Sequence, residues 1–158
     1  MSFYTEVIQS SPQFTKASRI NDLTLLEPIT RSAVLAIMKD AMDIGITLIA
    51  FETFRSSERQ KQLFDAGATK LRTVGVHHYG LACDLVVSEN GNPTWSVSYD
   101  FLRDLAKKHG MIWGGDWGTP QDHHSFIDAD HVQRCAVSDQ NKLFSGAWYP
   151  DENYNPVQ

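Results

Sequence analysis

The sequence predicts an α+β domain in which a small antiparallel sheet is flanked by helices. Two observations carry this: three segments have helical period with strand-like runs between them, and the two kinds do not alternate regularly enough for a wound parallel sheet. With 158 residues, 42% of them hydrophobic and 11% aromatic, the chain has material for one core and no room for a second domain.

In chain order, residues 1–16 read as a leader, and the Pro, Asn and Ser residues of both ends read as loose connections. From Ile29 to Ile44 the positions Val34, Leu35, Ile37, Met38 and Met42, with Ala33, Ala36 and Ala41 between, have helical period, and Gly45 is placed to stop the helix. The run "ITLIAFETF" reads as a strand. A second helix begins near Ser57, where Ser57 and Gln60 have capping-box spacing, and ends by Gly67. A third runs from about Tyr99 to Lys108 with Phe101, Leu102, Leu105 and Ala106 on one face and Gly110 as its stop. Further strands are expected near Leu81–Val87, Met111–Trp113 and Ser125–Ile127.

Composition excludes several function classes. The net charge is -5, and no block of Lys or Arg is long enough to track a phosphate backbone, so nucleic acid is not an expected partner. No stretch approaches the ~18 apolar residues of a membrane span, and the start lacks the basic and apolar regions of an export signal. Two cysteines, Cys83 and Cys135, are too few for a disulfide framework and are expected reduced.

The chemistry is announced by "HHYGLACDLVV", which places Asp84 in an otherwise apolar run. An ionised carboxylate there is costly unless a cation sits beside it. Strand alternation puts Ala82, Asp84 and Val86 on one face and turns Cys83, read as a small buried residue, to the other. Gly80 permits a bend through which an upstream histidine can fold back toward the carboxylate. One imidazole and one carboxylate make an incomplete site, since catalytic zinc takes three protein ligands plus water. The segment "DHHSFIDADHVQ" offers His123, His124 and His131 as the third. Trp113, Trp117 and Tyr79 fit a cleft wall and a core equally well.

"HHYGLACD" matches His-x-x-Gly-x-Ala-x-Asp, and "DADH" matches the later acid-x-x-His, of the zinc peptidoglycan peptidases. "FRSSERQKQLF" and "GMIWGGDW" are similar to two further segments of that family, and the resemblance runs from about Arg19 to Gln133, departing from the common pattern at Gly75, Asp130 and Val132. It implies that His77, Asp84 and His131 are the ligands of a Zn²⁺ cofactor, that Asp128 is the general base and that Arg55 stabilises the developing oxyanion. It assigns nothing to His78, and His124 stays open as an alternative ligand. Read alone, Arg55 fits a surface ion pair with Glu58 or Asp65. Asp128 shares a side with His131 only if the chain bends or turns between them.

The resemblance further implies a zinc peptidase domain over residues 17–137, followed by a C-terminal extension over 138–158. Its substrate is the peptidoglycan stem peptide, cut as an L-alanyl-D-glutamate endopeptidase. The alternatives are a D-alanyl-D-alanine carboxypeptidase and a non-catalytic zinc-stabilised module that binds cell wall. A monomer is expected, with no membrane partner, held in the cytoplasm until release as in a phage lysin, or carried on a virion.

Overall fold

Proline and a carboxylate fix where the first long helix begins. The computed structural model describes residues 2–68, 74–116 and 128–158. In it helix α1 spans Pro28–Asp43. Pro28 stands in the first turn, where a missing N–H costs nothing, and the Glu27 carboxylate caps the helix by accepting from the amides of Ile29 and Thr30 at 3.1 and 2.9 Å. The buried face differs from the expected one. Thr30, Ala33, Val34, Ile37 and Ala41 face inward, while Leu35 and Met42 are 46% and 63% exposed. Those two lie one position, or about 100°, round the helix from Val34 and Ala41, and the small alanines take the inward places.

Helix α2 covers Ser57–Asp65, and its cap is Ser56, one residue before the predicted one. The Ser56 hydroxyl accepts from the Arg59 amide at 3.0 Å and itself donates to the Lys16 carbonyl, so the cap also ties down the N-terminal segment. Helix α3 covers Phe101–Lys108. Tyr99 stands outside it because its hydroxyl is engaged elsewhere, accepting from the Val87 amide at 2.8 Å and donating to the Thr94 carbonyl at 2.6 Å. A short helix α4, Gln140–Phe144, closes the C-terminal part.

Strands β1 (Leu48–Glu52), β2 (Ala82–Glu89), β3 (Asn92–Thr94), β4 (Ile112–Trp113) and β5 (His131–Gln133) make one antiparallel sheet. Its order is β1-β2-β5-β4, with β3 pairing to β2 off that path. The predicted strand at Ser125–Ile127 lies outside the described residues. Cys83, Leu85 and Val87 of β2 and Val132 of β5 meet α1 and α3 in the main core, with Val34, Ile37, Leu102, Ala106, Met111 and Trp113. One sheet face is therefore covered by helices, and Asp84 and His131 belong to the other.

The chain ends are not loose. Ile8 is fully buried beside Leu25 and Phe54. At the other end, the Arg134 guanidinium donates to the carbonyls of Asp151 and Tyr154, and the Tyr149 hydroxyl donates to the Tyr79 carbonyl at 2.6 Å. Serine and asparagine marked these segments as connections; the buried aromatic and aliphatic side chains among them decide otherwise.

Gly80 joins the 3₁₀ turn Val76–Tyr79 to β2 with φ +73°, and a Cβ there would sit 2.7 Å from both the Leu25 carbonyl oxygen and Ile8 Cδ1. Left-handed backbone costs a non-glycine residue roughly 1–2 kcal/mol before any clash. Gly80→Ala is therefore expected to lose at least about 2 kcal/mol of stability in urea unfolding.

Candidate active site

The register of β2 against β5 sets Asp84 opposite His131, so both side chains rise from one sheet face while Cys83 and Val132 enter the core. The turn at Gly80 folds His77 back over the same carboxylate. His77 Nε2 lies 3.1 Å and His131 Nδ1 3.2 Å from Asp84 Oδ1. All three residues are buried, Asp84 to 8% exposure.

Each imidazole is oriented by its second nitrogen. His77 Nδ1 donates to the Thr53 carbonyl at 2.7 Å, which turns Nε2 toward Asp84. His131 Nε2 donates to Gln133 Oε1 at 2.8 Å, which turns Nδ1 the same way. The Gln133 amide cannot flip without loss, because its nitrogen donates to the Cys135 carbonyl and to Gln140 Oε1 at 2.6 and 3.0 Å. His78, by contrast, faces away. Its Nδ1 donates to the Arg55 carbonyl at 3.1 Å and its Nε2 accepts from the Tyr4 hydroxyl at 2.8 Å.

Asp128 reaches the site through a turn and not along a strand. The His131 amide donates to the Asp128 carbonyl at 3.1 Å, and Asp128 Oδ2 lies 3.8 Å from His131 Nδ1. The "WGGDW" segment supports that turn: Trp113 Nε1 donates to the Ala129 carbonyl at 2.7 Å, and a Cβ on Gly114 would fall 2.4 Å from the Asp128 carbonyl oxygen. Trp113 and Tyr79 are thereby core residues. Trp117, Asp122, His123 and His124 lie outside the described residues.

Arg55 is not a surface ion-pair partner of Glu58 or Asp65. Its Nε and Nη2 donate to the two Glu52 oxygens at 3.2 and 3.1 Å, Nη1 donates to Gln60 Oε1 at 3.3 Å, and Nη2 also reaches Asp84 Oδ2 at 3.5 Å. The two oxygens of Asp84 thus have separate duties, Oδ1 toward the imidazoles and Oδ2 toward the guanidinium. Glu52 also accepts from Arg59 at 3.2 Å.

The field here favours positive charge. Burial works against ionisation of Asp84, but the charge of His77 and the hydrogen bonds from both imidazoles hold its carboxyl well below the ordinary range. Burial also opposes protonation of His131, yet Asp84 and Asp128 beside it push it up to about 9. Asp130 is pushed up to about 8 by burial first, then by Asp84 and Asp128. Sequence reasoning missed Glu52 and Gln133. Alternation signalled Gln133, two residues from His131 on the same strand face; Glu52 carried only the hint of an acid ending the apolar run "LIAF".

A buried His–Asp–His cluster on one face of an antiparallel sheet, with helices on the far face, could hold a metal ion. The fold is similar to that of the Serratia marcescens L-Ala D-Glu endopeptidase ChiX (TM-score 0.55, 21% identity, 80% of this chain and 93% of that one). It is also similar to the vancomycin-resistance D,D-pentapeptidase VanY in complex with Zn(II) (TM-score 0.56, 15% identity, 76% and 78% of the two chains). Residues 69–134 match the model of the D-alanyl-D-alanine carboxypeptidase family. Over 117 residues, 62% of this chain and 70% of the other, the sequence is 30% identical to the peptidoglycan L-alanyl-D-glutamate endopeptidase CwlK of Bacillus subtilis (strain 168). The chain belongs to this family of peptidases.

Because Glu52 is buried and neutralises two guanidinium groups, Glu52→Gln should destabilise the fold by roughly 3 kcal/mol in urea unfolding, the usual cost of leaving a buried ion-pair partner uncompensated.

Proposed function

We propose that the chain is a zinc-dependent endopeptidase that cuts the L-alanyl-D-glutamate bond of the peptidoglycan stem peptide, with His77, Asp84 and His131 as the metal ligands. The observation that carries this is the convergence of one atom from each. The ligand atoms of the three residues all lie within 4.8 Å of one another. The two contacts at Asp84 Oδ1, 3.1 and 3.2 Å, are close to the edge of about 3.3 Å expected between ligand atoms around a tetrahedral zinc. Imidazoles with their outer nitrogens tied to acceptors and their inner ones turned to one carboxylate oxygen, and a carboxylate with its other oxygen held by arginine, suit a divalent cation.

Zinc with an open position would polarise the scissile carbonyl and supply hydroxide near neutral pH. The rest falls to the chain's own side chains. Asp128, less buried than the ligands and beside His131, takes the proton of the attacking water and passes it to the leaving amine. Arg55, its guanidinium plane fixed by both Glu52 oxygens, holds Asp84 in place and presents positive charge where the carbonyl oxygen becomes anionic. A module that only binds cell wall needs neither group.

The endopeptidase reading, in preference to the carboxypeptidase one, is supported by the similarity to CwlK and ChiX, each of which this chain spans over most of its length. Mass spectrometry of digested peptidoglycan tests it: new amino-terminal D-glutamate is expected, and free D-alanine would move the activity to the carboxypeptidase. Among the described residues no helix is long and apolar enough to cross a membrane. Release through a membrane pore or carriage on a virion would bring the enzyme to its substrate.

Two further outcomes are expected. His77→Ala and His131→Ala should each lose the single zinc per chain found in the unaltered protein by metal analysis. Asp128→Asn should keep both zinc and fold while stem-peptide cleavage slows by roughly 10²–10⁴; zinc loss in that variant would make Asp128 a ligand.

A further inference from the structure

We propose that Trp95, Phe51 and Arg19 form a preassembled substrate subsite on the rim of the active site, and that Arg19 selects a free carboxylate within two residues of the scissile bond. This deepens the endopeptidase reading and rests on it.

Three contacts link these residues to the catalytic cluster. Trp95 Nε1 donates to Asp130 Oδ2 at 3.0 Å, and Asp130 offers a carboxylate oxygen within 4.8 Å of those of Asp84 and Asp128. The indole stands perpendicular to the Phe51 ring with centroids 5.3 Å apart. On Phe51 lies the Arg19 guanidinium, 3.9 Å from the ring centroid, with Nη1 donating to the Phe51 carbonyl. Phe51 itself directly precedes Glu52, at the irregularity where β1 shifts register against Asp84 of β2.

Trp95 is 54% exposed, so more than half of a large apolar ring forgoes burial. Its orientation is nevertheless fixed by the bond to Asp130 and the contact with Phe51. An ordered aromatic beside catalytic carboxylates is a ready apolar wall, and a ligand settling on it freezes few rotors. Arg19 is exposed as well and already ordered by stacking and one hydrogen bond. Among the described residues it makes no ion pair, whereas Arg55, Arg59, Arg103 and Arg134 are all paired.

Charge decides the ligand. Glu52 is spent on Arg55 and Arg59 and Asp84 on the imidazoles, which leaves Asp128, its side chain 28% exposed, to repel an anionic substrate. An uncompensated guanidinium on the rim offsets that repulsion for a peptide whose carboxylate comes within its reach, and a planar fork suits a carboxylate. Glutamate next to the cut bond carries such a group, and the residue after it is the other possible source.

The test uses two pairs of synthetic stem peptides, differing only in whether the free carboxyl is an acid or a carboxamide. In one pair the change is on the glutamate and in the other on the following residue. Cleavage kcat/KM is measured with zinc-loaded enzyme, and Kd by calorimetry with the zinc-loaded Asp128→Asn protein. In one pair the acid should be preferred about tenfold, the scale of one charge-assisted hydrogen bond, and that pair identifies the carboxylate read. Arg19→Gln should bring the acid-to-amide ratio close to one. Trp95→Ala should weaken acid and amide alike. An acid preference that persists in Arg19→Gln overturns the subsite, as does cleavage by the unaltered enzyme with no preference in either pair, although the endopeptidase reading then stands. Acid-selective binding lost in Arg19→Gln but without cleavage upholds the subsite and removes the endopeptidase reading.

Discussion

A carboxylate set into the middle of a sheet must be met by positive charge or give up its own, and Asp84 imposes that condition on everything around it. Removing an ion from water costs several kcal/mol even after the protein relaxes. Three segments distant in sequence meet the cost: the turn holding His77, strand β5 with His131, and the segment after β1 with Arg55. Each brings its own support, Thr53 for His77, Gln133 for His131 and Glu52 for Arg55. No buried side-chain nitrogen or oxygen among the described residues is left without a partner. The polar interior is thus a closed network, and the core on the opposite sheet face can remain apolar.

The division between the faces follows from period two in β2. Cys83, Leu85 and Val87 point to the helices, and Asp84 points to the opposite face. Stability and chemistry are therefore housed on opposite sides of one strand. Their meeting point is Gly80, which aims His77 while packing against Ile8 and Leu25 of the N-terminal part. That contact gives the first residues of the chain a share in the site that their composition does not suggest.

Much of this was legible in the chain because its signals are local. The antiparallel α+β class, the stops after α1 and α3, the alternation around Asp84 and the bend at Gly80 depend on neighbouring residues or on one strand's period. His77 was separable from His78 by motif spacing alone, and the geometry gives the reason: the second imidazole is spent on Tyr4 and the Arg55 backbone. What was not legible depends on distant partners. A register shift in β1 sets Glu52 opposite Asp84 of β2, a placement that strand alternation within β1 could not give. Ser56 displaces Ser57 as the cap because Lys16, 40 residues earlier, takes its hydroxyl proton. Leu35 and Met42 follow the helical period, but the inward face is settled by how closely α1 approaches the sheet.

The pairing of β2 with β5 has a further consequence for the order in which the molecule matures. Asp84 and His131 are separated by 47 residues, and their alignment exists only once these strands are in register. Closing a loop of that length comes after local helices and turns have formed. A nascent chain released before β5 holds His77 and Asp84 without the third member of their cluster, so the site is assembled only once synthesis has passed residue 131.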